Sequence, residues 1–323
     1  MSDIVLHHYW ESPYAEKVRR IFGLKGLAWK SVVIPMMMPK PDLLALTGGY
    51  RKTPVMQVGA AVYCDTDCIA RVIEHLQPEP TLFPEGTEAL CLMLGPWQQE
   101  LFMLAVQAVG TSGNVLPPGF LEDRAQMIEG GIDLERLLRE MPARRDQLRT
   151  KLTLVERHLG RGRRFLLGER PSLADLEVYH PLFALRSIPA TAPLLGPFAN
   201  IRAWLERLDA VGHGTRTDIS SADALEIARR ATPATERRLD ADDPNGRKPG
   251  DRVAVVHDAF GRDPVLGELV ASSADEIAIR RHDERAGEVV VHFPREHYLV
   301  LPASDADGYA APASPSSEAR RGS

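Results

Sequence analysis

The sequence predicts three parts in series: an α/β domain over residues 1–78, an all-helical domain over residues 86–213 and a small antiparallel β-barrel-like domain over residues 249–303. Three observations carry that expectation. Short β-rich runs alternate with single helical stretches in the first 78 residues. Apolar residues then recur at helical spacing as far as about Val211. After Pro249-Gly250 the apolar period changes to two. A chain of 323 residues also exceeds one ordinary domain.

In order, Ile4 to Tyr9 reads as a strand and Glu11-Ser12-Pro13 as a turn into a helix. Ser12 suits the N-cap, and Pro13 the first helical position, where a missing N–H costs nothing. Val18, Ile21, Phe22 and Lys25 keep helical spacing until Gly26. Trp29 to Ile34 is a second strand, and the Pro-rich loop Pro35 to Pro41 leads to a short helix. Val55 to Val58 turns at Gly59 into Ala61 to Cys64, and an apolar helix follows. The order β-α-β, short α, β-β-α is thioredoxin-like.

Pro78, Pro80 and Pro84 mark a linker. Thr87 to Val109 and Leu134 to Leu159 read as long helices, the second with a break at Pro142. Pro171-Ser172-Leu173-Ala174-Asp175 has capping-box spacing with Asp in place of Glu, and a last helix runs from Ile201 to Val211. Residues 214–248 are polar and read as a linker with one helical stretch, Ser221 to Ala231. Arg252 to His257, Val265 to Ala271, Glu276 to Arg281, Glu288 to Phe293 and Tyr298 to Leu301 read as five strands. Residues 304–323, rich in Ala, Ser and Pro, read as a disordered tail.

With 44% hydrophobic and 26% charged residues, the composition is that of an ordinary soluble protein. A net charge of -5 argues against nucleic acid as the main partner. Residues 249–303 carry six Arg and no Lys against ten acidic residues, a poor surface for phosphates. Three cysteines, Cys64, Cys68 and Cys91, make no disulfide framework, which fits a reducing cytoplasm. The opening MSDIVLHHYW lacks a basic region followed by a long apolar core, and no apolar run is expected to cross a membrane. His257, His282, His292 and His297 fit exposed strand faces better than a metal site, so no metal is expected.

The informative stretch is Tyr50 to Glu74, YRKTPVMQVGAAVYCDTDCIARVIE. A proline leading into a strand suits an edge or a special turn, and the tight geometry points to a cis Thr53-Pro54 bond. Thr66, just before the apolar run, suits the N-cap, and the N–H groups behind it favour an anion. Together these suit a small extended molecule with a carboxylate at one end. A plain hairpin followed by a capped helix reads equally well from this segment alone.

Thr53-Pro54 and Asp65-Thr66 resemble the glutathione-binding half of cytosolic glutathione transferases. Ser12-Pro13-Tyr14-Ala15-Glu16-Lys17-Val18-Arg19 resembles the catalytic turn of the serine- and cysteine-type members, and Ser172 and Asp175 their capped buried helix. The resemblance covers residues up to about 213, so the β-domain is an addition. It implies that the backbone of Thr53, before Pro54, pairs with the cysteinyl part of glutathione. Asp65 and Thr66 would hold the γ-glutamyl end, and Lys40 and Arg51 the glycine carboxylate. Lys52 lies in the same loop.

Ser12 falls on the catalytic position, donating a hydrogen bond to the thiolate; the other reading of Ser12 is a helix cap alone. Tyr9 is the reserve candidate. Asp67 departs from members that carry a basic residue there. Trp10, Tyr14, Trp97, Phe102, Met103 and Arg124 are candidates for the wall of an electrophile pocket between the domains, although such residues also serve as core. The resemblance implies a glutathione-dependent transferase, a homodimer without nucleic acid or membrane partners. The alternative is a non-catalytic glutathione-binding or protein-interaction module on the same fold.

Overall fold

A computed structural model describes residues 3–113, 115–233, 238–240 and 243–309. The N-terminal unit holds β1 (Ile4–His8), α1 (Pro13–Lys25), β2 (Ala28–Val33), α2 (Pro41–Thr47), β3 (Val55–Val58), β4 (Ala61–Cys64) and α3 (Thr66–Leu76). β1 pairs parallel with β2 and antiparallel with β3, which pairs antiparallel with β4. This is the expected thioredoxin-like arrangement.

The helical unit contains α4 (Glu88–Met93), α5 (Gly95–Gly110), α6 (Phe120–Ala125), α7 (Leu134–Leu159), α8 (Leu173–Ser187) and α9 (Ala199–Asp209). The helix expected from Thr87 to Val109 is divided at Leu94, where Gly95-Pro96 cannot continue the amide ladder unbroken. α7 runs through Pro142 without a break. The carbonyl that loses its donor there belongs to Leu138, on the solvent side of the helix. Glu88–Gly110 is long and apolar enough to cross a membrane by length and composition, contrary to expectation. Its inner face, with Leu101, Leu104, Ala105 and Ala108, belongs to the core of the helical unit.

Residues 214–248, expected as a linker, contain β5 (Thr215–Asp218), α10 (Ser221–Arg230) and β6 (Arg238–Leu239). β5 pairs parallel with β2, Thr215 opposite Ala28. Gly214 makes this possible: at φ 70° a side chain would be strained, and a Cβ would stand 2.2 Å from the Leu27 carbonyl oxygen.

The C-terminal strands are β7 (Arg252–His257), β8 (Val265–Ser272), β9 (Glu276–Asp283), β10 (Gly287–Pro294) and β11 (Tyr298–Pro302). They lie where the sequence puts them, and adjacent strands among them are antiparallel, but they do not close on themselves as a barrel. β10 pairs parallel with β4, Val290 opposite Ala61, giving one sheet of order β11-β7-β8-β9-β10-β4-β3-β1-β2-β5, with β6 beside β8. Parallel pairing of β10 with β4 satisfies the amides that would otherwise line an open edge.

Because strand residues alternate in direction, the sheet feeds two cores. Ile4, Leu6 and Met56 face α1, α3 and the helical unit. Val5, Val55 and Val62 face the other way, with α2, α10, Val289, Val291 and Phe293. The second core therefore joins the N-terminal unit to the added strands. Of the expected tail, Ala303–Gly308 forms a short 3-10 helix, and residues 310–323 lie outside the described residues.

Candidate functional site

Strand register collects the candidate residues at one end of the sheet. His7 of β1 lies opposite Val55 of β3, which lies opposite Cys64 of β4. The end of β1 leading to Ser12, the start of β3 after Thr53-Pro54 and the end of β4 leading to Asp65-Thr66 are thus neighbours. The Thr53-Pro54 bond is cis, as expected.

Ser12 is the N-cap of α1, and its Oγ accepts the Ala15 amide at 3.2 Å. Its side chain is only 2% exposed. The N-cap of α3 is Asp65 rather than Thr66, which is the first helical residue. Asp65 has φ 77° and ψ 144°, outside the left-handed helical well, a strained conformation for a residue with a side chain. Its Oδ1 accepts the Asp67 amide at 3.2 Å, and its Oδ2 accepts the Tyr298 hydroxyl at 3.1 Å.

Lys17, one turn into α1, ties the two helix starts together. Its ammonium donates to Thr66 Oγ1 at 3.0 Å and to Asp67 Oδ1 at 3.1 Å, and pairs with Glu177 of α8. Burial works against its charge, but Glu177 and Asp67 outweigh it and hold Lys17 above its ordinary value. Burial pushes Glu177 up to about 7, against the pull of Lys17. The acidic departure at Asp67 is therefore neutralised from α1.

Beside Thr53 stands a cluster of cations. Lys40 donates to the Arg51 carbonyl at 3.1 Å and to Thr53 Oγ1 at 3.2 Å. Arg51 and Arg124 both pair with Asp123, which also accepts the Met38 amide at 3.1 Å. Arg124 further donates to the Tyr9 hydroxyl at 3.3 Å and to the Met36 carbonyl at 3.0 Å. It thus joins this cluster rather than the expected electrophile wall. Two arginines share one carboxylate with Lys40 beside them, and the surplus of positive charge suits an anionic ligand. Burial first, then Arg124, pushes Lys40 down to about 8.

Of the expected wall, Tyr14 and Phe102 meet, with ring centroids 4.6 Å apart. The Tyr14 hydroxyl donates to Gln99 Oε1 at 2.9 Å, and its ring lies 4.7 Å from that of His180. Met103 lines a groove of about 1140 Å³ between α5 and α7, together with Trp97. Trp10 packs elsewhere, between the guanidinium groups of Arg19 and Arg216 and edge-on to His8. The arginine that turns it toward β5 lies in the stretch read as a linker. Lys52 turns to the added strands, donating to the Phe260 carbonyl at 3.3 Å.

Residues 6–81 match the family model for the glutathione S-transferase N-terminal domain, and residues 134–207 that for the C-terminal domain. A solved GST-like protein from Pseudomonas syringae is 41% identical, with a TM-score of 0.77, over 94% of this chain and 100% of that one. The chain belongs to the glutathione S-transferase superfamily. Glutathione transferase GSTFuA3 from Phanerochaete chrysosporium shares the fold at 20% identity and a TM-score of 0.53, over 65% of this chain and 98% of that one. Glutathione S-transferase U4 from Arabidopsis thaliana is 24% identical over 84 residues, which is 26% of this chain and 38% of that protein's length. The added strands thus set this transferase-fold chain apart from the more distant relatives, while the Pseudomonas protein matches far enough to include them.

Sequence alone does not single out Lys17, Asp123, Glu177, His180 or Tyr298 at this transferase-fold site. Asp123 sits in an ordinary Glu-Asp-Arg run. Tyr298 stands 233 residues after Asp65, and no local motif links them.

Proposed function

We propose that this chain is a glutathione transferase-like enzyme, adding the glutathione thiolate to a small apolar electrophile. The γ-glutamyl end would lie on Asp65 and Thr66 and the cysteinyl backbone against Thr53. The glycine carboxylate would lie at Lys40 and Arg51. The observation that carries this reading is the pair of cross-links from Lys17 to Thr66 and from Lys40 to Thr53. They gather two helix N-termini, the strand turn and the cations at one end of the sheet.

Ser12 would donate its hydroxyl proton in a hydrogen bond to the sulfur. That favours the thiolate formed once the thiol proton has gone to solvent. Its lone pair forms the carbon–sulfur bond while a π bond or the bond to a leaving group at the attacked carbon breaks, and the displaced electron pair takes up a proton from solvent. Tyr14 and Phe102 would form the apolar wall for the electrophile. The setting proposed is the cytoplasm, supported by three free, buried cysteines. The assembly proposed is a homodimer through the exposed apolar side chains Leu90, Met93, Leu138 and Leu154.

The second reading, a glutathione-binding module without catalysis, is favoured by the near-complete burial of Ser12 and its use as a cap. Calorimetric titration with glutathione, followed by conjugation assays on a panel of electrophiles, tests both. Binding with turnover supports the enzyme, and binding without turnover on any electrophile supports the module. No binding removes both.

A further inference from the structure

The added strands bring their own groups to the same end of the sheet. β10 runs parallel to β4, so the turn after Pro294 lies on the side of Asp65. β7 ends at His257, opposite Tyr298 at the start of β11. The loops after β7 and before β11 are held there by several bonds. The Asp258 amide donates to the His297 carbonyl at 3.0 Å, and the Gly261 amide to the Met127 carbonyl at 2.8 Å. The neighbouring turn between β8 and β9 is tied to α3, where Arg71 donates to the Asp275 carbonyl at 3.1 Å.

Within this frame the buried Tyr298 donates its hydroxyl proton to Asp65 Oδ2 at 3.1 Å. Asp65 is held at φ 77° and ψ 144°, and its Oδ1 accepts the Asp67 amide at 3.2 Å. A carboxylate offers about four acceptor positions. Among the described residues these two donors fill two, which fixes the plane of the group and leaves the others for a cationic ligand.

We infer that the added β-strands complete the ligand site of their own chain. Tyr298 acts as a positioning residue, aligning the Asp65 carboxylate to accept an α-ammonium group such as that of a γ-glutamyl ligand. This deepens the glutathione reading and rests on it. Specificity for the free amino end of the ligand is thereby set from outside the part shared with the shorter transferases.

The test uses the full chain, wild type and Tyr298→Phe, and two ligands titrated on each preparation. One ligand is S-methylglutathione; the other is the same compound with the γ-glutamyl amino group replaced by hydrogen. Tyr298→Phe keeps the ring and loses only the donor. It should weaken S-methylglutathione by about tenfold and leave the deaminated analogue within about twofold. The ratio of the two affinities is read on one sample, so partial unfolding does not alter it. Equal weakening of both ligands, or of neither, overturns the positioning role while the glutathione reading stands. If the wild type binds neither ligand, the glutathione reading fails and this inference falls with it.

Discussion

Lys17 Nζ and Thr66 Oγ1, 3.0 Å apart, join the starts of α1 and α3 across the buried base of the site. The same ammonium stands between Asp67 and Glu177, so it separates two carboxylates as well as binding a hydroxyl. Removing it should affect folding first. Lys17→Met is expected to destabilise the chain by about 3–5 kcal/mol, because it leaves buried acid unpaired. Adding Glu177→Gln should recover part of that loss. Thr66→Val should instead leave thermal unfolding nearly unchanged and weaken glutathione by about fivefold or more. Melting curves and calorimetry on the four proteins check the separation.

Ser12→Ala removes one cap hydrogen bond, costing about 1 kcal/mol of stability. The larger effect is expected on the bound thiol, whose pKa should rise by about one to two units when a hydrogen bond to the charged sulfur is lost. Ultraviolet absorbance of the thiolate against pH measures this. Superimposable titration curves would make Ser12 a cap alone.

Lys40 is held down to about 8 by burial and then Arg124, so it is charged below that value and neutral above it. Affinity for the glycine carboxylate should be flat below this point and fall above it, approaching roughly tenfold per pH unit. S-methylglutathione is the appropriate probe because it has no thiol to titrate. Lys40→Arg, whose guanidinium stays charged, should flatten the profile. An unchanged profile in that variant would place the glycine end of the ligand elsewhere.

Met93 is 75% exposed and Leu90 55% exposed on α4. In the proposed homodimer these side chains are covered. Sedimentation equilibrium should give a dimer for the wild type and a monomer for the Leu90→Asp, Met93→Asp double variant. A monomeric wild type would remove the proposal.

What was legible in the sequence was what is local. β7 begins and ends with its Val-Ala-Val-Val apolar run and flanking polar residues, and Ser12, Thr53 and Asp65 sit beside turns that their own neighbours specify. β5 was illegible because all four of its residues are exposed, leaving no apolar face to show a period. It is a strand through backbone pairing with β2 alone. The parallel pairing of β10 with β4 was illegible for another reason. β4 alternates and β10 is a short apolar run, and neither pattern carries information about which edge a strand will join. The same holds for Asp123 and Arg51, whose ion pair joins α6 to a loop 72 residues earlier.

The pairing of Val290 with Ala61 sets a timetable for synthesis. The partner of β4 is made 229 residues after β4 itself. At ribosomal rates of roughly 5–20 residues per second, that is a delay of roughly 10–50 s. Throughout it, β4 presents an open edge on an otherwise assembled N-terminal sheet. A transferase that ends after α9 has no such strand to wait for, whereas in this chain the edge of β4 stays open until β10 is made. Release without β10 would leave a ready template for strand-to-strand association.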